Sequence, residues 1–200
     1  GGKYNIDGVP YLNFANTGLT AGDVEPIGMS VNTKAGFSIV KYNGNGTAGA
    51  TVSHGLSQAP EFVIIRQHNA DGYQWMCYHV SIGNTKGLKL QTADDAFTDS
   101  GLWNDTTPTS DVINLGGHGS DTNNTGGTNI MYSWHSVPGY SAFGSYNGNG
   151  SPDGPFVYTG FKPAFLMVKR TDVDNSWIIS DSARNKFNTV NINLTANSQD

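Results

Sequence analysis

The chain has 200 residues, 26 of them glycine and only two of them glutamate (Glu25 and Glu61), and this turn-rich composition argues against a mainly helical fold. Its formal net charge is −5 and its 11 lysines and arginines form no extended basic patch, so no nucleic acid is expected as a partner. No apolar run approaches the roughly 20 residues that a helix needs to span a bilayer, so no membrane insertion is expected.

Residues 1–35 are predicted to form an amino-terminal strand and a linker. The string YLNFAN at residues 11–16 precedes GFSIV in the same way as residues 129–137 precede GYSAF, so it is expected to be the closing strand of an earlier unit. Two alternatives follow. Either residues 1–35 complete the sheet of a later unit, or the chain is cut from a longer protein.

An internal repeat follows this linker. The string GFSIVKYNGNG at residues 36–46 matches GYSAFGSYNGNG at residues 139–150. The tyrosines before NGNG, Tyr42 and Tyr146, are 104 residues apart, and later matches lie at offsets of 102 to 103 residues: Pro60 and Pro163, Phe62 and Phe165, Trp75 and Trp177. Self-similarity at a fixed spacing is the signature of repeated structural units. We therefore predict a first unit at residues 36–138 and an incomplete second unit at residues 139–200.

Each unit is predicted to contain two hairpins. The YNGNG string is expected to form a tight hairpin, since Asn-Gly turns tolerate the positive φ that such turns need. Downstream, EFVIIRQH pairs with YQWMCYHV in the first unit, as AFLMVKR pairs with SWIIS in the second. The expected register places Arg66 opposite Trp75, and Lys169 opposite Trp177. These cation–aromatic neighbours are interpreted as sheet packing in preference to ligand binding.

The rest of the first unit is predicted to be strands at residues 87–92, 111–116 and 129–137, with long polar loops between them. Helices are expected only at residues 92–97 and 180–187. The predicted fold class is therefore all-β, with two related antiparallel β-sandwich-like modules of about 103 residues, the second of them truncated.

No motif for catalysis or metal binding is complete. The chain lacks GxSxG and HExxH, and no pair of carboxylates stands out, so we predict a non-enzymatic protein without a cofactor. Cys77 lies within a predicted strand and is expected to be a buried structural thiol. The acidic turn at residues 172–175 lacks the glycine and glutamate of an EF-hand, which leaves a looser structural calcium site as the open alternative.

Two polar loops supply the candidate binding residues. Aromatic rings stack on the C–H faces of sugars while amides and carboxylates bind sugar hydroxyls, and this combination is what the loops offer. The ring of Trp103 is expected to be exposed, although most aromatic residues of a β protein fill its core. The predicted ligand-binding residues are Trp103, Asn104, Asp105, Asp121, Asn123 and Asn124.

Longer strings carry a family resemblance. DVEPIGMSVNTKAGFSIVKYNGNGTAGATVSHGLSQAP, LWNDTTPTSDVINLG and VPGYSAFGSYNGNGSPDGPFVYTGFKPAFLMVKRTD together cover much of the chain. The chain resembles a two-copy, Gly- and Asn-rich β domain family of unknown function in the tail fibres and other virion appendages of tailed, often marine, phages. The resemblance implies a virion structural protein assembled in the host cytoplasm, and no catalytic residues.

The resemblance also implies partners. These are further copies of the chain in a homo-oligomer, with a trimer expected, other virion proteins, and a glycan or envelope protein of the host surface. Two alternatives stay open. One is a capsid or appendage decoration or spacer domain that binds no receptor, and the other is a polysaccharide depolymerase, which needs two carboxylates about 5 to 10 Å apart along a groove.

Overall fold

The computed structural model describes residues 3–117, 119–184 and 192–198. Almost every regular element in these ranges is a β-strand, which confirms the predicted all-β class. The helical elements described are a 3₁₀ turn at Ala15–Thr17 and one turn of helix, α1, at Ser100–Trp103. None of the helices described is long and apolar enough to cross a membrane.

Fourteen strands are described. In chain order they are β1 (Tyr4–Ile6), β2 (Val9–Tyr11), β3 (Gly28–Asn32), β4 (Phe37–Asn43), β5 (Thr51–Ser53), β6 (Phe62–Gln67), β7 (Met76–His79), β8 (Lys86–Lys89), β9 (Phe97–Thr98), β10 (Val112–Asn114), β11 (Thr128–Trp134), β12 (Phe165–Val168), β13 (Ile178–Asp181) and β14 (Leu194–Thr195). The predicted strands at residues 87–92, 111–116 and 129–137 thus correspond to β8, β10 and β11.

The main sheet has nine strands in the order β2-β1-β3-β4-β11-β6-β7-β8-β9. Its neighbours are antiparallel except β1 and β3, which are parallel. Strand β11 lies at the centre, because one edge pairs with β4 and the other with β6. It therefore joins two strands that are separated from each other and from it by long stretches of sequence.

Alternation along the central strands produces two apolar faces. On β11, Met131 points to the inner face and is fully buried, while Tyr132 points to the outer face. The inner face packs against α1 and the β5–β10 ribbon and forms the main core, which includes Val40, Tyr42, Val63, Ile65, Met131, Leu102 and Ile113. The outer face carries a smaller cluster of Phe62, Ile64, Cys77, Leu88 and Trp177.

The predicted register of the β6–β7 hairpin is confirmed. Phe62 pairs with His79 and Ile65 with Met76, so Arg66 reaches Trp75, and its guanidinium carbon lies 5.3 Å from the centre of the indole ring. The two strands are consecutive in the chain, with residues 68–75 between them, so the register depends on neighbouring segments of sequence.

The YNGNG string of the first unit does not form the predicted hairpin. Strand β4, which ends in this string, pairs with β3 and β11 and not with β5, which pairs with β10. The glycines instead bind the loop before β11: Gly44 N–H donates to Gly127 O at 2.7 Å, and Gly46 N–H donates to Asn123 O at 3.0 Å. Long-range contacts therefore replace the local turn that the string favours.

The region predicted to be the second unit, residues 139–200, contains three strands in the part of the chain that the structure describes. Strands β12, β13 and β14 form a three-stranded antiparallel sheet, and its register brings Lys169 opposite Trp177 as predicted. Lys169 does not repeat the ring contact of Arg66, because its Nζ donates to the carbonyl oxygens of Ala93 and Arg170 at 3.1 and 2.8 Å. Residues 139–163 contain no strand beyond one isolated bridge, and the second YNGNG string is exposed and forms no hairpin.

The amino-terminal strands belong to the sheet of the first unit. Strand β1 pairs with β2 and β3, so residues 1–35 do not complete the second unit within the part of the chain described. The strand predicted at residues 11–16 is also wrong beyond Tyr11. Asn16 N–H donates to Asn13 Oδ1 at 3.0 Å and Thr17 Oγ1 donates to Phe14 O at 2.6 Å, and such local bonds favour a turn.

The predicted helix at residues 92–97 is wrong. Ala96 N–H donates to Thr171 O at 3.1 Å, and Ala93 O accepts from Asn175 N at 2.8 Å, so this segment is extended along the turn between β12 and β13. In the other predicted helix, Ser180 and Asp181 belong to β13 and residues 182–184 form a turn. Residues 185–187 lie outside the described residues.

Candidate functional site

Trp103 is not the exposed stacking platform that its polar neighbours suggest. Its side chain is 1% exposed, its ring meets Tyr78 edge to face at 5.7 Å, and its Nε1 donates to Lys86 O at 3.0 Å. The helical turn α1 places it on the inner face of the sheet. Asp99 caps that turn by accepting from Gly101 N–H. Trp103 is therefore a core residue.

Asn123 is also unavailable to a ligand. It is fully buried, and its Nδ2 lies within 3.1 Å of three acceptors, Asn45 Oδ1, Thr47 O and Gly116 O. Its Oδ1 accepts from Asn45 N–H at 2.9 Å. A buried amide with this set of partners stabilises the two loops that it joins.

Asn104 and Asp105 remain exposed, at the carboxyl end of α1. Both have positive φ, 51° and 47°, a conformation that Asn and Asp tolerate better than most residues. Asp105 O accepts from Asn84 Nδ2 at 2.9 Å, and the same amide lies 3.1 Å from Thr107 Oγ1. These two residues mark a polar turn beside Asn84, without an aromatic partner among the contacts described.

The remaining two predicted residues, Asp121 and Asn124, lie together at the tip of the β6–β7 hairpin. Asp121 Oδ1 accepts from Gln74 N–H at 3.0 Å. Asn124 Nδ2 donates to the hydroxyl of Tyr73 and lies 3.5 Å from Gln67 Oε1. The loop before β11 thus closes over the hairpin tip and presents a carboxylate and an amide beside a tyrosine.

Further planar side chains extend this group. Gln91 Nε2 donates to Gln74 Oε1, and Gln91 Oε1 accepts from Trp75 N–H at 3.0 Å. Arg66 donates to Tyr73 O and stacks on Trp75. We call the connected set the hairpin-tip cluster, which comprises Arg66, Gln67, Tyr73, Gln74, Trp75, Gln91, Asp121 and Asn124.

The chemistry of the hairpin-tip cluster is mainly neutral and planar. Apart from the buried Gln67, its members are half-buried, so each has part of its surface in solvent while hydrogen bonds hold its orientation. One guanidinium and one carboxylate are the charged groups in the set. Half-exposed rings beside fixed amides are suited to sugar rings, which offer apolar C–H faces and hydroxyl edges together.

The sequence contained part of the signal for this cluster. The hairpin register already brings Arg66 to Trp75, at the end where Tyr73 and Gln74 lie. Gln91 carried no such signal, because its position depends on the pairing of β7 with β8, in which Met76 lies opposite Lys89. The polar composition of their loop identified Asp121 and Asn124 as candidates, but it could not predict that they contact the hairpin.

In the acidic turn at residues 172–175, which was the candidate for a calcium site, Asp172 forms a salt bridge with Arg170. Arg170 Nε lies 2.7 Å from Asp172 Oδ1, and hydrogen bonding to this arginine lowers the pKa of the Asp172 carboxyl. Asp174 Oδ1 accepts from Asp95 N–H at 3.1 Å. Among the residues that the structure describes, no cluster of three or more His, Cys, Asp or Glu side chains is placed to hold a metal ion.

The titratable side chains of His54 and Cys77 are fully buried. His54 Nδ1 accepts from Leu56 N–H at 3.1 Å and its Nε2 lies 3.2 Å from Thr109 O, which corresponds to a neutral ring protonated at Nε2. Burial lowers the pKa of His54 to about 4. The Cys77 thiol is fully buried, and burial raises its pKa, as expected of an inert core cysteine.

Comparisons with known proteins place the chain in a family. No curated protein and no solved structure matches it. A family model described as a domain of unknown function, DUF7483, matches residues 12–200. Since the match spans nearly the whole chain, the protein belongs to the DUF7483 family.

Proposed function

We propose that the chain is a non-enzymatic structural module of a virion appendage, such as a tail fibre, that attaches to a glycan of the host surface. The resemblance to phage appendage domains supports the virion context. The oligomer expected there is a trimer, with other virion proteins as further partners. The glycan is expected to bind at the hairpin-tip cluster, and no cofactor is needed for such binding.

One observation carries the attachment site: partly exposed aromatic rings and fixed amides are joined in a single hydrogen-bonded group. Tyr73 and Trp75 are half-exposed aromatic residues, with the Asn124 amide bonded to the Tyr73 hydroxyl and Arg66 lying over the Trp75 ring. Gln74 holds a further planar amide between them. Because these groups already bind one another, a sugar would meet them in a fixed arrangement and would order few side chains on binding. Asp121 adds an acceptor for sugar hydroxyls at the rim.

The test is a glycan array together with binding to host cells, using the 200-residue chain, with light scattering on the same samples. Tyr73→Ala is expected to abolish saturable binding while the melting temperature stays close to that of the unmodified chain. Tyr158→Ala removes a tyrosine that is 83% exposed elsewhere, and serves as the matched control. Binding that survives Tyr73→Ala and Asp121→Ala but requires other residues would contradict the assigned site.

A decoration or spacer domain without a receptor is the second candidate. The loop before β11 favours this candidate, because the side chain of Asn123 makes its hydrogen bonds within the protein and is not available to a receptor. This candidate expects no glycan or cell binding by a folded oligomer, and the same light-scattering samples supply that result.

A further inference from the structure

The three-stranded sheet of the second unit has the strand order and register of β6, β7 and β8. In β6–β7, Phe62 lies opposite His79, and in β12–β13, Phe165 lies opposite Asp181. Strand β14 adds to β13 as β8 adds to β7. Strand β12 therefore corresponds to β6, with Leu166 at the place of Val63.

In the first unit, the edge of β6 that faces away from β7 is paired with β11. Strand β11 pairs along it from Asn129 opposite Gln67 to Trp134 opposite Phe62, and the other edge of β11 pairs with β4. With this strand in place, Val63 and Tyr42 are fully buried. One inserted strand therefore completes both the hairpin sheet and the segment that carries the YNGNG string.

The corresponding edge of β12 has no neighbouring strand in the ranges that the structure describes. Leu166 is 51% exposed, whereas Val63 at the same place in β6 is fully buried, and Phe165 is 61% exposed. Tyr146, the match of Tyr42, is 51% exposed and belongs to no strand. The lack of a β11-like strand accounts for both differences at once.

Backbone donors point at this open edge. Ser182 N–H donates to Ala164 O at 3.0 Å, so Ala164 faces β13. Because the direction of the peptide groups alternates along an antiparallel strand, the amides of Phe165 and Met167 face away from β13. In the first unit, His68 N–H donates to Thr128 O on β11 at 2.9 Å. By the same alternation, the amides of Phe62 and Ile64, which correspond to Phe165 and Met167, face β11.

We propose that the free edge of β12 is a strand-acceptor site. Its occupant is an extended strand of the β11 type, about seven residues long, that pairs antiparallel with β12 and alternates between apolar and polar side chains. On its inner face it would cover Leu166 and Val168. On its far edge it would give residues 140–146 a partner, so that this segment joins the sheet as β4 joins β11.

The probe is a labelled synthetic peptide with the sequence of residues 128–137, added to the 200-residue chain. Its binding is followed by fluorescence anisotropy and by amide exchange in two-dimensional NMR spectra. We expect the exchange of the Phe165 and Met167 amides to slow by at least about tenfold at saturation, because these donors enter a ladder.

Two matched controls make the result specific. A peptide that carries an N-methyl group on the amide of Tyr132 lacks a donor that faces β6 in the first unit, and it is expected to bind at least about tenfold more weakly. Leu166→Asp in the chain should weaken binding by a similar factor. Val173→Asp places the same charge at a residue that is 42% exposed in the hairpin turn, and it should leave the affinity within about twofold.

Three outcomes would overturn the proposal. The first is the absence of slowed exchange at Phe165 and Met167 at millimolar peptide. The second is binding that Leu166→Asp leaves unchanged. The third is a dimer in light scattering whose Phe165 and Met167 amides are already protected without peptide, since that would make a second copy of β12 the occupant.

Discussion

Asn123 and Asn45 exchange hydrogen bonds across 78 residues of sequence: Asn45 N–H donates to Asn123 Oδ1 at 2.9 Å, and Asn123 Nδ2 donates to Asn45 Oδ1 at 3.1 Å. The loop before β11 is thereby fastened to the YNGNG string after β4. Since β11 pairs with β4 along its whole length, this contact stabilises the end of the central strand pair.

Asn123→Ala is expected to destabilise the protein by about 2 to 4 kcal/mol, because it removes the hydrogen bonds of a fully buried amide and leaves the buried acceptor Gly116 O without this donor. Urea unfolding of the full chain measures this. Asn149→Ala is the control, since Asn149 is the exposed match of Asn45 in the second unit, and a change within about 0.5 kcal/mol is expected. Equal effects of the two substitutions would contradict the role given to Asn123.

The glycines of the two YNGNG strings provide a second matched comparison. A Cβ on Gly44 would lie 2.3 Å from Asn124 O, a backbone atom, whereas a Cβ on Gly148 would meet nothing within 4 Å. Gly44→Ala is therefore expected to lower the free energy of unfolding by about 2 kcal/mol or more, and Gly148→Ala by less than about 0.5 kcal/mol. Thermal melts of the two variants in parallel would distinguish them, and a stable Gly44→Ala variant would show that the two loops are not in contact.

The same pentapeptide thus occupies two environments, which explains where sequence reasoning succeeded and failed. The β6–β7 register is local, and the spacing of Arg66 and Trp75 around a short turn was enough to predict it. The first YNGNG string has an equally strong local turn preference, but the pairing of β4 with β11 replaces it. That pairing joins residues that are 85 to 97 positions apart, for which the sequence offers no register signal.

Burial of the candidate residues was unpredictable for a related reason. Trp103 is surrounded in sequence by Asn104, Asp105 and threonines, all typical of an exposed loop. Its depth depends on α1 lying against Gly87, where a Cβ would be 2.4 Å from Leu102 Cδ1. Close approach to a glycine in a strand leaves no periodic pattern, so polar neighbours gave the wrong indication.

Trp103→Ala is expected to destabilise the protein by about 3 to 5 kcal/mol, as for other large aromatic residues removed from a core. Trp103→Phe keeps a ring against Tyr78 but loses the bond from Nε1 to Lys86 O, and a smaller loss of about 1 to 2 kcal/mol is expected. Urea unfolding provides both values. If Trp103→Ala unfolded at the same urea concentration as the unmodified chain, the ring could not be part of the core.

Stability is expected to depend on the protonation of His54. The pKa of His54 is lowered to about 4 by burial, from a usual value of 6.5, so the unfolded chain binds the proton more readily than the folded chain. The contribution of the neutral ring is therefore complete above pH 6.5 and is lost as the pH falls towards 4. From pH 7 to pH 5 the free energy of unfolding should decrease by about 2 kcal/mol from this group.

The experiment compares urea unfolding at pH 7 and pH 5 for the unmodified chain, His54→Gln and His68→Gln. Gln at position 54 cannot take up a proton, so the decrease between the two pH values should shrink, even though the variant is less stable at pH 7. His68 is exposed, and its substitution controls for the loss of one histidine. Burial also lowers the pKa of His79, so part of the pH dependence should persist in His54→Gln. If the decrease were as large in His54→Gln as in the unmodified chain, groups other than His54 would cause it. Asp94, Asp172 and Asp181 contribute little between pH 7 and pH 5, because their lowered pKa values affect stability only in more acidic solution, below about pH 4.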